Sequence, residues 1–373
     1  MKLNALENLR SLGQSVWYDN VSRQLVKSGA LAGLVARGVS GVTSNPSIFE
    51  RAIAHSSDYD EDIAKLSDRG AAAIFQTLAA QDIQDACDIL RPVYDAEHGR
   101  DGFVSIEVSP ALANDAIATA EDARVLWRKI NRPNLLIKIP GTRAGVHALR
   151  TLIAEGINVN VTLLFSQGMH VEVANAYLEG LEARPRNSDL SRLASVASFF
   201  VSRIDARIDG IVAEKAGSAN AQDRAALLEL RGKTAIANAK LAYEQYERIF
   251  RGERWHRLAA RGARPQRLLW ASTGTKEKSC SDVLYVDELI GPGTINTMPP
   301  ETLEAYCDHG NPALRLQTDV AQAHAHLRGL ASRGISLDAV TSELLVDGIK
   351  RFETAANQLF AAIEAKKRAA VRA

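Results

Sequence analysis

The run Leu135-Leu136-Ile137-Lys138-Ile139 carries one polar side chain among four apolar ones, and that side chain is a lysine. Pro133 precedes the run and Pro140-Gly141 follows it, the bounds expected of a short buried strand. Strand side chains alternate faces, so Leu136 and Lys138 share one face and Ile137 and Ile139 the other. An ammonium inside such a strand is costly to desolvate, which favours the neutral amine. A neutral amine attacks carbonyls, making Lys138 a candidate Schiff-base lysine. The position equally suits a strand-end lysine whose stem is buried and whose head reaches water.

Lys138 has company. Asp19, Asn45, Glu107, Thr162, Ser198 and Ser272 fall at or near the C-terminal ends of other apolar runs. One polar residue at a strand end is an ordinary cap. Seven of them, two being acids and one a lysine, are hard to explain as caps, because a structural sheet would more simply end in apolar side chains. The pattern points to catalysis at one end of a sheet.

The elements that must position these residues follow in order. Strands are expected at Ser15–Asp19, Val39–Thr43, Phe103–Val108, Leu135–Ile139, Ile157–Leu163, Ser195–Phe199, Arg267–Ser272 and Thr294–Met298. Helical patterns fill the spaces: Ser22–Arg37 with Ser22 as N-cap, 48–98, Asn114–Ile130, Thr142–Glu155, Ser166–Ala183, a helix carrying Arg203 with Ser202 as cap, about 222–261, and about 316–364. Val159, Val161 and Leu163 are expected on one face of their strand, and Asn158, Asn160 and Thr162 on the other. Strand–helix alternation implies a parallel sheet covered by helices, and eight units at this length imply an α/β fold, a (β/α)₈ barrel. Barrel active sites lie at the C-terminal strand ends, where the seven polar residues cluster. No G-x-G-x-x-G follows a strand, so an open dinucleotide-binding sheet has no direct support. One domain is expected across 1–373, with a helical insertion at about 215–262 and C-terminal helices at about 316–364.

The chain has 373 residues, 46% hydrophobic and 24% charged, at a net charge of +1. Nothing in that balance recruits nucleic acid or an anionic membrane surface. No apolar run reaches the roughly 18 residues of a membrane span, and the N-terminus shows no signal-peptide core. Cys87, Cys280 and Cys307 are few, odd in number and far apart, which suits a reducing cytoplasm. Cys307-Asp308-His309 and His324-Ala325-His326 lack paired ligand spacing, so no metal site is expected. The arginines between 248 and 267 are interleaved with acids and read as a solvated insertion. Lys366-Lys367-Arg368 reads as a frayed basic tail.

Three motifs carry a family resemblance. Gly41-Val42-Thr43-Ser44-Asn45-Pro46-Ser47-Ile48-Phe49 resembles the first signature of the transaldolases. Leu136 to Gly145, with the core Lys138-Ile139-Pro140-Gly141-Thr142, resembles their active-site lysine signature. Asn160-Val161-Thr162-Leu163-Leu164-Phe165-Ser166 is similar to a third block. The resemblance runs from about Trp17 to Glu364. It implies a (β/α)₈ barrel that moves a dihydroxyacetone unit between sugar phosphates in the non-oxidative pentose phosphate pathway, without metal or organic cofactor. By resemblance, Lys138 is the Schiff-base lysine and Asp19 the acid/base at the C4 hydroxyl. Glu107 and Thr162 hold a catalytic water. Asn45, Asn160 and Ser198 bind the three-carbon unit, and Arg203 binds phosphate.

One departure concerns the phosphate site. Many family members carry an Arg after the seventh strand, in a Gly-Ala-Ser-Phe-Arg context. Here the run is Trp270-Ala271-Ser272-Thr273-Gly274-Thr275-Lys276, as in a longer-chain subgroup, and Lys276 is either the second phosphate ligand or a solvated loop charge. Ser272 is a substrate contact or a turn cap. The alternatives to transaldolase are a fructose 6-phosphate aldolase, whose members generally carry Gln where Glu107 stands, and a sugar-phosphate-binding protein without activity. The oligomeric state stays open between monomer and homodimer.

Overall fold

The computed structural model describes residues 3–275 and 280–372. Eight parallel strands close into a barrel in chain order. They are β1 Gln14–Tyr18, β2 Gly41–Val42, β3 Phe103–Glu107, β4 Leu135–Pro140, β5 Val159–Leu164, β6 Ser195–Phe200, β7 Arg267–Ala271 and β8 Thr294–Met298. The ring closes where Gln14–Tyr18 pairs in parallel with Thr294–Met298. This is the (β/α)₈ barrel that strand–helix alternation implies. β4, β5 and β6 are buried along their whole length, as parallel strands are when helices cover them outside and side chains fill the ring inside. Gly41 lets β2 lie against β1, since a Cβ there would fall 2.5 Å from the Trp17 ring.

The helices differ from the sequence pattern at several points. Residues 22–37 form two helices, Arg23–Lys27 and Ala30–Arg37. Gly29 between them takes φ 79°, a left-handed conformation that breaks the ladder and suits glycine. Residues 48–98 resolve into Pro46–Ala54, Asp60–Lys65 and Ala71–Ala96. The 222–261 stretch resolves into Ala221–Leu228, Thr234–Phe250 and Glu253–Ala259. Hydrophobic period alone does not show such breaks. Ser202 does not cap the helix Ser202–Gly217 that carries Arg203; its hydroxyl pairs with that of Ser272 at 3.0 Å. Ser22, Thr142 and Ser166 do cap their helices, accepting from Leu25, Gly145 and Met169.

Two further expectations are corrected. Strict alternation along β5 stops before its end: the register shifts between Val161 and Leu164, and Leu163 adopts φ 58°. Leu163 meets Gly348 on the C-terminal helix Leu337–Arg372, where an added Cβ would come within 2.9 Å of Leu163 Cδ2. The basic tail is part of that helix and is not frayed. Lys366 Nζ donates to the Ser56 carbonyl at 2.8 Å and Lys367 Nζ to the Arg69 carbonyl at 2.6 Å, tying the helix back to the body. No helix among the described residues is long and apolar enough to cross a membrane.

Candidate active site

β4 delivers Lys138 into the barrel, and the chain after it fixes the strand end. Thr142 Oγ1 accepts from the Gly145 amide at 3.0 Å and donates to the Ala113 carbonyl at 2.5 Å. A Cβ at Gly145 would lie 1.8 Å from the Pro140 carbonyl oxygen, so a side chain there would force the strand end and the helix start apart. Lys138 is 4% exposed. Its Nζ donates to the Ser44 carbonyl at 3.0 Å and lies 3.3 Å from Glu107 Oε2. Glu107 is the register partner of Lys138 on β3. The Phe352 ring, from the C-terminal helix, stands 5.8 Å from Nζ.

A cavity of about 130 Å³ opens over the lysine at the C-terminal end of the barrel. Among the residues expected from sequence, it brings together Lys138, Asp19, Asn45, Thr162, Ser198, Arg203 and Ser272. Glu107 and Asn160 do not line it. Glu107 touches Lys138 from behind and borders a neighbouring cavity of about 220 Å³ whose walls include Phe49, Phe75 and Leu126. Asn160 lies beneath: its Nδ2 donates to Ser105 Oγ at 3.1 Å and its Oδ1 accepts from Ser198 at 2.7 Å. That chain fixes the Asn160 amide and spans β3, β5 and β6. Asn45 is partly committed as well, because its Oδ1 caps the helix Pro46–Ala54 through the Ile48 amide at 3.1 Å. Lys276 lies outside the described residues.

The electrostatics centre on two acids and one lysine. Burial pushes the Asp19 carboxyl above the usual carboxylate range, against the positive charge of Lys138 and the hydrogen bond from Thr43. Burial likewise raises Glu107, again opposed by Lys138. Thr43 Oγ1 donates to Asp19 Oδ1 at 2.7 Å and shares a second hydrogen bond with Thr297 Oγ1 at 2.6 Å. Glu107 Oε2 is buried with Lys138 as its ion-pair partner, and Thr162 Oγ1 is buried without a hydrogen-bond partner among the described residues. So is Nη1 of Arg203. Burial first, then the positive charge of Arg351, lowers the Arg203 guanidinium from its ordinary value. A buried donor left unpaired is costly, and an incoming anion would satisfy it.

Four residues at the site were not singled out from the sequence. Thr43 and Ser44 lay in plain view inside the first motif, in the turn from β2 to the Asn45-capped helix. Thr297 is the fourth residue of β8, and a period-2 reading of that strand could have found it. Phe352 left no local signal, since only the packing of the C-terminal helix brings it to Lys138.

The fold and the site define a class, a (β/α)₈ barrel with a buried lysine flanked by carboxylates at the C-terminal strand ends. The chain belongs to the transaldolase/fructose-6-phosphate aldolase family, whose model matches residues 16–363. It is 48% identical to transaldolase 2 of Nostoc punctiforme over 98% of both chains. It is 49% identical to the transaldolase of Thiobacillus denitrificans, over 97% of this chain and 100% of the relative. It is also 49% identical to transaldolase 1 of Streptomyces avermitilis, over 96% of each.

Proposed function

We propose that this chain is a transaldolase that moves a dihydroxyacetone unit from a ketose phosphate, sedoheptulose 7-phosphate or fructose 6-phosphate, to an aldose phosphate. The observation that carries the mechanism is the lysine: Lys138 Nζ is buried, 3.3 Å from Glu107, and faces a cavity shared with Asp19. In the first step the amine adds to the donor's C2 carbonyl, and the carbinolamine loses water to form an iminium. Glu107, ion-paired with Lys138, and the buried Thr162 hydroxyl, which has no hydrogen-bond partner among the described residues, support a water held between them that relays those protons. In the second step Asp19 takes the C4 hydroxyl proton as the C3–C4 bond breaks. The bonding pair enters the iminium, giving an enamine and releasing the aldose phosphate.

The charges favour that sequence. Asp19 and Glu107 both lean on the positive charge of Lys138. When the iminium becomes the neutral enamine, that support is withdrawn and a buried Asp19 prefers to hold the proton it has just taken. Addition of the enamine to the acceptor aldehyde restores the positive charge and returns the proton to the new hydroxyl. Water then releases the product from Lys138. Asn45, Asn160 and Ser198 are assigned to the three-carbon unit, Asn160 acting through its hold on Ser198. Arg203, Ser272 and Lys276 are assigned to substrate, Arg203 and Lys276 at the phosphate. No metal or organic cofactor is needed, because the iminium is the electron sink.

Fructose 6-phosphate aldolase is the second reading, and Glu107 speaks against it. A coupled assay with fructose 6-phosphate decides: turnover that requires erythrose 4-phosphate supports transfer, whereas release of free dihydroxyacetone without an acceptor supports the aldolase. We further assign the chain to one barrel domain with the helices of 215–262 as an insertion, active in the cytoplasm on sugar phosphates as a monomer or homodimer, with neither nucleic acid nor membrane as partner.

A further inference from the structure

The barrel has a second mouth. At the N-terminal strand ends, opposite Lys138, lies a cavity of about 460 Å³, within the range of about 300–1,000 Å³ typical of small-molecule sites. Its charged lining is four arginines, Arg10, Arg100, Arg264 and Arg267, against two acids, Glu97 and Asp101. Two of the arginines are spoken for. Arg10 is ion-paired with Glu97. Arg267 lies 3.8 Å from Asp101 and donates to Ser15 Oγ at 2.6 Å and to the Thr294 carbonyl at 2.7 Å. Asp101 also accepts from the Trp17 indole at 2.7 Å and from Ser40 at 2.9 Å.

Arg264 and Arg100 are left over. Arg264 gives Nη2 to the His98 carbonyl at 2.6 Å, but its Nη1 is buried with no hydrogen-bond partner among the described residues. The Arg100 guanidinium makes no hydrogen bond or ion pair among the described residues. Burial, and then the positive charge of Arg100, holds the Arg264 guanidinium below its ordinary value. Two guanidiniums beside one cavity, neither ion-paired among the described residues, are unfavourable to each other, and a dianion between them relieves both the repulsion and the unpaired donor. Two other features describe the rest of a ligand. Trp17, Phe103 and Ile295 give the cavity apolar walls. Gln14 is fully buried, its Nε2 fixed on the Leu289 carbonyl at 2.7 Å, and its Oε1 is an acceptor with no donor among the described residues, a match for a hydroxyl.

We infer that the N-terminal mouth of the barrel is a binding site for a small hydroxylated phosphate monoester, its phosphate held by Arg264 and Arg100 and its carbon body set against Trp17 and Gln14. This site is separate from the catalytic cavity and does not depend on the role of Lys138. Sorbitol 6-phosphate is a suitable probe, since it has no carbonyl and forms no imine with Lys138. Calorimetric titration of the full chain is expected to show a binding class that weakens at least tenfold in Arg264→Gln and in Arg100→Gln, while turnover stays within about twofold of the parent. Arg264 holds the His98 carbonyl and its replacement can disturb folding. Arg100 is exposed and its guanidinium makes no hydrogen bond or ion pair among the described residues, so Arg100→Gln is the deciding variant. An unchanged titration in Arg100→Gln overturns the inference whatever Arg264→Gln shows.

Discussion

Thr43→Val removes one oxygen and almost no volume, and its consequences follow from the two hydrogen bonds of that oxygen. In the parent, Thr43 Oγ1 donates to Asp19 Oδ1 at 2.7 Å and pairs with Thr297 at 2.6 Å. Hydrogen bonds to charged groups are worth about 1.5–3 kcal/mol, and Asp19 is partly exposed to the cavity, so the lower end applies. Thr43 lowers the Asp19 carboxyl against the raising effect of burial, so its loss raises Asp19 further. A carboxylate base works only when ionised. The acid limb of kcat is therefore expected to move to higher pH, with the alkaline plateau kept within a few fold. Buried Thr297 also loses its partner, at a stability cost of about 1–3 kcal/mol. The assay is steady-state transfer from fructose 6-phosphate to erythrose 4-phosphate between pH 4.5 and 8.5, beside a urea midpoint. An acid limb in the parent's position, with the midpoint lowered, would show that Thr43 only packs and that Asp19 is not the titrating base.

Three other outcomes are expected. Asp19→Ala should spare imine formation and slow carbon–carbon cleavage by about 10²–10⁴-fold, the range for a lost general acid/base. Single-turnover cleavage near the parent's rate would remove Asp19 from the mechanism. Arg203→Ala should raise KM for phosphorylated donors far more than for free dihydroxyacetone, and equal effects on both would take Arg203 out of the phosphate site. His170 is fully buried on the helix Gln167–Glu182, neither ring nitrogen has a hydrogen-bond partner among the described residues, and burial lowers its pKa to about 4 from 6.5. The unfolded chain therefore binds the proton first as pH falls. Stability is full above about pH 6.5 and declines toward pH 4, by about 3 kcal/mol at roughly 1.36 kcal/mol per unit. His170→Leu should flatten that part of the decline, and urea midpoints with the same pH slope in both proteins would refute it.

The barrel was legible because its signal is repetition. Eight short apolar runs separated by helical stretches leave few other architectures, and their ends fall within two residues of the observed strands. Most residues lining the cavity over Lys138 were legible for the same reason, since a parallel barrel brings all C-terminal strand ends to one face. What did not show were features set by contacts remote in sequence. Leu163 leaves strand alternation where it meets Gly348. Phe352 reaches Lys138 only because a long C-terminal helix packs across the barrel mouth. Ser202 was read as a cap from its position, but its hydroxyl is used by Ser272 on the neighbouring strand end. Glu107 was matched with Thr162 by resemblance, and the strand pattern did not show that Glu107 would pair with Lys138 while Thr162 lines the cavity over it.

The central claim is that Lys138 forms the covalent intermediate. Borohydride reduction in the presence of fructose 6-phosphate, followed by peptide mapping by mass spectrometry, tests it most directly. The expected result is one irreversible adduct on the peptide containing Lys138, with matching loss of activity, and no adduct in Lys138→Arg. An adduct on another lysine, or complete turnover with no trapped species, would contradict the account.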